Sequence, residues 1–320
     1  MPKVSVIITT YNRAHFVCEA IKSVLGQTYR DFEIVVVDDG SRDNTREAVA
    51  TFKDPRIKYI YQDNRGVTGA LNAGILASSG ECVAFLDSDN VLFREALQKS
   101  MEFMDRHPEV GFCYGQISTM DENGRPLRLK RFRGPKVTRV NNGRKELVSL
   151  LLAERNIGHF IARAACFKQV GLFSTTLCMS EDWDMWIRMA AKYDVGHLAV
   201  PMIKARYHTQ SLTASSGVEI VKKAHTAVLE SVFTDAELGP LYVHLKKRAY
   251  FGLNCLLARV AALTGHKGMA VRYFTRAFGR YPKIVVDPKA FYLLIWSSKV
   301  LLPQAVRRFI IDILIDLHLR

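Results

Sequence analysis

Two carboxylates spaced i, i+2 close the segment Val83–Asn90, which reads VAFLDSDN. They follow an apolar run, Val83–Leu86, whose length and composition predict a fully buried strand. Asp87 and Asp89 at the end of such a strand make a poor core. They make a good seat for a hard, oxygen-preferring divalent cation such as Mg²⁺ or Mn²⁺. A plain acidic turn would use the same residue types, since Asp, Ser and Asn all favour turns. A second strand with the same ending weighs against that: Glu33–Val37 runs into Asp38, Asp39, Gly40 and Ser41. A third, Val4–Thr10, runs into Tyr11, Asn12 and Arg13. Much later, SEDWDMWIRMA sets Glu181 and Asp182 at the head of a helical pattern, where acidic residues also occur for reasons of helix polarity alone.

The elements that must position these groups follow from the apolar periodicity. Between the first two strands, Ala14–Leu25 carries Val17, Ala20, Ile21, Val24 and Leu25 on one helical stripe. Arg46–Phe52 predicts a helix opened by Asp43-Asn44-Thr45, Ile57–Tyr61 a strand, and Val67–Ala77 a helix of small residues. The alternation β-α-β-α-β-α-β implies a parallel sheet with right-handed crossovers. Ligands of such open sheets bind at the carboxyl ends of the strands. Thr9, Tyr11 and Arg13, then Asp38 and Asp39, then Asp87 and Asp89 all gather on that edge. The strand-one loop has no G-x-G-x-x-G, which excludes a dinucleotide oxidoreductase. It has no glycine at all, against a nucleotidyltransferase phosphate loop.

Taken in order, VSVIITTYNRA, EIVVVDDGSRDNT, NRGVTGALNAGI, FLDSDN and SEDWDMWIRMA resemble the motifs of an inverting family 2 glycosyltransferase of the GT-A fold, over about residues 1–215. The resemblance implies an α/β fold, Rossmann-like, with a mostly parallel sheet flanked by helices. It also implies a nucleotide-diphospho-sugar donor, a divalent metal, and transfer to an acceptor hydroxyl. Residue by residue, it puts Thr9, Tyr11 and Arg13 at the nucleoside, with Asp39 accepting the uracil imide hydrogen and Asp38 orienting the loop. Asn72 is expected at the donor. Asp89 would hold the metal, with Asp87 joining directly or through water and ribose, and His208 approaching the metal or the diphosphate. Asp182 would be the general base. Trp183 and Trp186 are expected to pack the base helix, and Asn156–Phe160 to line the acceptor cleft. The chain departs from the family at Leu71, where an arginine is common, and at Asn90, where aspartate is frequent. A degenerate, non-catalytic transferase serving as a membrane-bound binding or scaffold module is the alternative; Leu71 supports it, and the intact Asp39, Asp89 and Asp182 oppose it.

Composition bounds the rest. With 320 residues and 48% hydrophobic content, the chain can build one large domain with an appendage. The six cysteines are scattered with no CxxC pair, as expected of reduced thiols in a cytoplasmic protein. The start, MPKVSVIITTY, is strand-like rather than a signal peptide. The net charge of +14 is unevenly placed: residues 238–320 hold 14 Lys/Arg against 3 Asp/Glu, and Arg125–Lys145 holds nine basic residues and no acidic one. Basic residues segregated from an acidic-tipped sheet suit an anionic membrane surface or acceptor better than nucleic acid. From Gln304 on, Gln304, Arg308, Asp312, Asp316 and Arg320 form one polar stripe on an apolar helix. That stretch and Ala290–Trp296 are too short to span a bilayer and fit interfacial helices. The expected layout is a catalytic domain at 1–237, with a nucleotide-sugar half at 1–124 and an acceptor half at 125–237. A basic helical extension follows at 238–320, with Arg248–Ala262 and Lys267–Phe278 as paired helices and the protein peripheral on the inner face of the membrane. The expected role is cell-surface polysaccharide or lipid-linked glycan synthesis.

Overall fold

The structure, a computed structural model, describes residues 2–127, 132–152, 157, 160–177, 179–208 and 217–280. Contacts divide the chain into two compact units, 1–147 with 156–211, and 148–155 with 212–320. The first begins as the alternation predicts: β1 (Val4–Thr10), α1 (Ala14–Leu25), β2 (Phe32–Asp38), α2 (Thr45–Ala50), β3 (Ile57–Tyr61), α3 (Gly66–Ala77) and β4 (Cys82–Asp87). It continues through β5 (Val91–Leu92), α4 (Ala96–Arg106), β6 (Val110–Met120), β7 (Arg139–Asn141) and α5 (Gly143–Leu151), whose last residues fall in the second unit. It closes with β8 (Phe160–Arg163), α6 (Ala164–Val170), α7 (Glu181–Ala190) and β9 (Asp194–Arg206).

These strands form one sheet in the order β3-β2-β1-β4-β8-β6-β9-β5, with β7 paired to β9. The four N-terminal strands are mutually parallel, and β8 enters antiparallel between β4 and β6. Strands buried on both faces read as continuous Val and Ile runs, and β1 and β2 are of that kind. The register fixes the site: Thr10 lies beside Asp38 and Thr9 beside Asp87, so the polar tips of β1, β2 and β4 share one edge. Helix α1 buries Val17, Ala20, Ile21 and Val24 in the core that also takes Val6, Ile8, Ile34 and Val36. Helix α3 lies hard on β1; a Cβ at Gly74 would come within 2.4 Å of Ile7 Cγ2. Arg163 closes the end of α4, its guanidinium donating to the carbonyls of Met104 (2.7 Å), His107 (3.2 Å) and Val110 (2.9 Å). Cys18, Cys82, Cys113 and Cys166 are free thiols, and burial pushes the Cys82, Cys113 and Cys166 thiols up.

In the second unit the described helices are α8 (Val218–Thr234), α9 (Leu238–Tyr242), α10 (Lys246–Leu263) and α11 (Lys267–Arg280). Gly265, at φ 82°, makes the break between α10 and α11. Glu230 of α8 accepts from the Tyr250 hydroxyl and from Lys246 Nζ (3.0 Å) of α10. The contact division sets α8 with the helices after it, whereas the sequence reading ended the catalytic domain at 237. No helix among the described residues is long and apolar enough to cross a membrane. The stretches Ala290–Trp296 and 304–320 lie outside the described residues, as do all of Asn156–Phe160 except Ile157 and Phe160.

Candidate functional site

The β2 end forms one wall. Asp38 is 1% exposed; its carboxylate accepts from the Tyr59 hydroxyl (2.6 Å) and the Ser41 N–H (2.8 Å). Burial, and the Asp38 carboxylate after it, push the Tyr59 phenol up. Asp39 is buried, and its Oδ1 accepts from Gln62 Nε2 (2.6 Å) and the Arg65 N–H (2.9 Å) at the start of α3. The loop after β1 is stitched to this wall. Asn12 holds a left-handed φ of 52°, donates its N–H to Ser41 Oγ (2.8 Å) and accepts from the Arg42 N–H (2.8 Å). Asp43 accepts from the Ala14 N–H (3.1 Å) at the head of α1 and from Thr45 at the head of α2. Tyr11 is left exposed beside it.

The β4 end forms the floor. Asp89 Oδ2 pairs with Arg13 and meets His208 Nε2 at 2.9 Å, with Arg13 Nη1 and His208 Nε2 3.3 Å apart. Arg13, expected at the nucleoside, is engaged by Asp89. His208 is buried, and its Nδ1 has no hydrogen-bond partner among the described residues. Asp87 meets solvent yet is surrounded by protein, as a group at the bottom of a cleft is; Asn90 Nδ2 donates to it (3.0 Å). Crowding by protein first, then the charges of Asp89 and Glu181, raise its carboxyl above the ordinary carboxylate range.

Arg206, two residues before His208, holds this turn from below. It donates to the Asp89 carbonyl through Nε (2.9 Å) and to the Glu122 carbonyl through Nη1 (2.7 Å), and its N–H donates to Asn90 Oδ1 (3.0 Å). Its guanidinium also pairs with Glu19 and stacks on Phe16, 4.8 Å from the ring centroid. The sequence reading missed Arg206, Glu19 and Phe16. Phe16 lies outside the stripe read on α1, and nothing local to β9 marks Arg206 as a partner of the Asp89 turn.

The head of α7 faces the floor. Ser180 precedes it in a left-handed conformation, φ 64°, uncommon for a residue with a Cβ and typical of strain kept at functional sites. Burial first, then Glu181 and Asp87, raise the Asp182 carboxyl; burial raises Glu181 as well. Glu181 is among the charges acting on Asp87, and Asp87 among those acting on Asp182, so the end of β4 and the head of α7 line one cleft. Asp184 points away from it, bound to Arg188 through Nε (2.9 Å) and Nη2 (2.7 Å). Arg188 in turn donates to the carbonyls of Val170 (2.7 Å) and Leu172 (3.1 Å). Trp186 is buried against Phe160, as expected of a packing residue. Asn72, expected at the donor, has its amide donating to the Phe173 carbonyl and accepting from the Phe173 N–H, each at 2.9 Å.

The donor set fits a hard divalent cation. Asp87 and Asp89 offer carboxylate oxygens in a cleft whose negative charge is only partly offset by Arg13. Among the described residues no group of three or more ligating side chains is assembled. A cation here would therefore share its remaining sites with a bound phosphate and water, the usual habit of Mg²⁺.

A mostly parallel sheet flanked by helices, with acidic groups at the strand ends, defines the GT-A class. Solved structures agree: TarS residues 1–349 from S. aureus in complex with UDP-GlcNAc superimposes with a TM-score of 0.58 at 20% identity, covering 94% of this chain and 82% of that one. A mannosyltransferase from Pyrobaculum calidifontis in complex with GDP-Man and Mn²⁺ gives 0.58 at 20% identity, covering 99% and 85%. The chain belongs to Glycosyl transferase family 2, whose sequence profile matches residues 5–171. It is 29% identical over 255 residues to the UDP-Glc:alpha-D-GlcNAc-diphosphoundecaprenol beta-1,3-glucosyltransferase WfgD of Escherichia coli, covering 77% of this chain and 95% of that protein. Against several other curated relatives the match spans 34% to 47% of their length.

Proposed function

We propose that the chain is a metal-dependent, inverting transferase that moves a sugar from a UDP-sugar to a hydroxyl of a lipid-linked glycan. The observation that carries the reading is the meeting of Asp182 with Asp87 in one cleft, a proton acceptor opposite a seat for a diphosphate-bound cation. Asp182 takes the acceptor hydroxyl's proton as its oxygen forms the new bond to the anomeric carbon. The bond from that carbon to the diphosphate breaks on the opposite side, and the nucleoside diphosphate leaves with the electron pair. No covalent enzyme intermediate is needed, so configuration inverts. Asp89, Asp87 and His208 would hold the cation, which when bound offsets charge building on the leaving diphosphate.

Asp39 keeps Oδ1 engaged by Gln62 and Arg65, so Oδ2 remains to accept from a base N–H such as the uracil imide, with Tyr11 and Thr9 beside it. The UDP-GlcNAc complex of TarS and the UDP-Glc donor of WfgD support uracil; the diphosphoundecaprenol acceptor of WfgD supports a lipid-linked acceptor. The basic segments Arg125–Lys145 and 238–320 support residence on an anionic membrane surface on the cytoplasmic side.

The test is release of nucleotide from UDP-Glc, UDP-GlcNAc, UDP-Gal and GDP-Man, with and without a GlcNAc-diphosphopolyprenol acceptor, in Mn²⁺ and in chelator. Acceptor-dependent release from a UDP-sugar, lost in chelator, is the expected result. No release from any donor would leave the degenerate binding module as the reading.

A further inference from the structure

Helix α3 touches both halves of the cleft. At its start, the Arg65 N–H is bonded to Asp39. Two turns on, Asn72 forms a two-bond amide pair with the backbone of Phe173, 101 residues away in sequence. The segment it grips, Val170–Phe173, is the one whose carbonyls Arg188 of α7 binds from the other side. Arg188 is held in turn by Asp184, two residues past Asp182. The far face of α3 has no slack, because Gly74 sits against Ile7 of β1.

We propose that Asn72 is a positioning residue for the general base, the middle link of a brace running from Asp39 through α3, the Phe173 turn, Arg188 and Asp184 to the head of α7. The proposal rests on Asp182 being the base. A primary amide suits this link because its donor and acceptor match one peptide's C=O and N–H together, which fixes orientation as well as distance. Arg188 suits the next because its planar fork spans several carbonyls and a carboxylate at once. The base helix opens on Ser180 in a left-handed turn, so its heading depends on such outside support. Base catalysis demands placement to a fraction of an ångström, and a misplacement of about 1 Å can cost about 10²-fold.

The test compares Asn72→Ala, Asn72→Asp and Arg188→Lys with the full-length parent, reading kcat, donor KM and the Kd for UDP with Mn²⁺. Asn72→Asp keeps the acceptor from the Phe173 N–H but sets an oxygen against the Phe173 carbonyl. It also serves if the alanine variant does not fold. The expected result is a fall in kcat of roughly 10- to 100-fold, with UDP Kd and donor KM unchanged. The Asn72→Ala/Arg188→Lys double variant should lose less than the product of the single losses, since both grip one turn. A weaker UDP Kd with intact kcat would overturn the proposal and return Asn72 to the donor. Unchanged kcat would reduce the pair to packing. Asp182→Asn run beside them separates the two readings: an inactive Asp182→Asn with fully active Asn72 variants sinks only the brace, while a fully active Asp182→Asn sinks the base itself.

Discussion

The chain twice ends a buried strand in a pair of carboxylates, and the fold treats Asp38 and Asp39 in the opposite way to Asp87, while Asp89 has Arg13 and His208 as partners. Asp38 and Asp39 are met by donors on nearly every side: a phenol, a glutamine amide and two backbone N–H groups. Asp87, with Asp182 and Glu181 across from it, meets mainly other carboxylates and low-dielectric protein, and all three titrate high. A donor-rich shell makes a rigid wall that can read a base edge. A donor-poor, like-charged cluster stores an unmet demand for positive charge, which a cation or a proton in transit satisfies. Environment, not residue type, separates the two groups of carboxylates here.

The comparison breaks at once if the donor-poor cluster is dispensable. Asp182→Asn should lower kcat by roughly 10²–10⁴-fold while donor Kd holds, as measured by steady-state transfer and UDP titration. Near-normal turnover would move the base to Glu181. Asp89→Ala should abolish the Mn²⁺ dependence of UDP binding, with its circular dichroism unchanged but its stability lowered somewhat, because it removes the carboxylate that Arg13 and the buried His208 share. UDP binding that still responds to Mn²⁺ would refute the metal seat.

On the donor-rich side the effect should fall on stability. Asp38→Ala strands the Tyr59 hydroxyl and the Ser41 N–H and should cost about 2–4 kcal/mol, read from the denaturant midpoint. A loss below about 0.5 kcal/mol would mean that water replaces the carboxylate freely. The smallest effect sharpens the electrostatic half. Asp182 must be ionised to accept a proton, so activity falls as pH drops through its raised pKa. Glu181 is a cause of that rise, second to burial. Glu181→Gln should therefore move the acid limb of kcat/KM to lower pH. A limb that stays put would assign the rise to burial and Asp87.

Local signals carried far in the sequence. Strands β1 and β3 and helix α1 begin and end at the residues that the apolar pattern predicts, because each is a continuous run or stripe bounded by polar turns. The four-strand parallel order follows from short crossovers. The four-residue β8 was not legible, being too short to show a period, and neither was its antiparallel entry between β4 and β6. The site divides similarly. Asp39, Asp87 and Asp89 stand out by type and place, whereas Asp182 and His208 are singled out only through the family resemblance. Arg206 and the grip of Asn72 on Phe173 stand out by neither, since each works through a backbone partner about a hundred residues away, and a carbonyl leaves no trace in the sequence.

The bond from Arg206 to the Asp89 carbonyl also orders events in time. Strands β1 to β4 pair through short local crossovers and can assemble while the chain is still emerging from the ribosome. They carry Asp38, Asp39 and Asp87 with them. The latch on the Asp89 turn, and the histidine behind it, arrive only after more than a hundred further residues have been synthesised. A nascent chain stopped before β9 therefore already carries Asp87, Asp89 and Asp182, and lacks the latch that fixes the Asp89 turn.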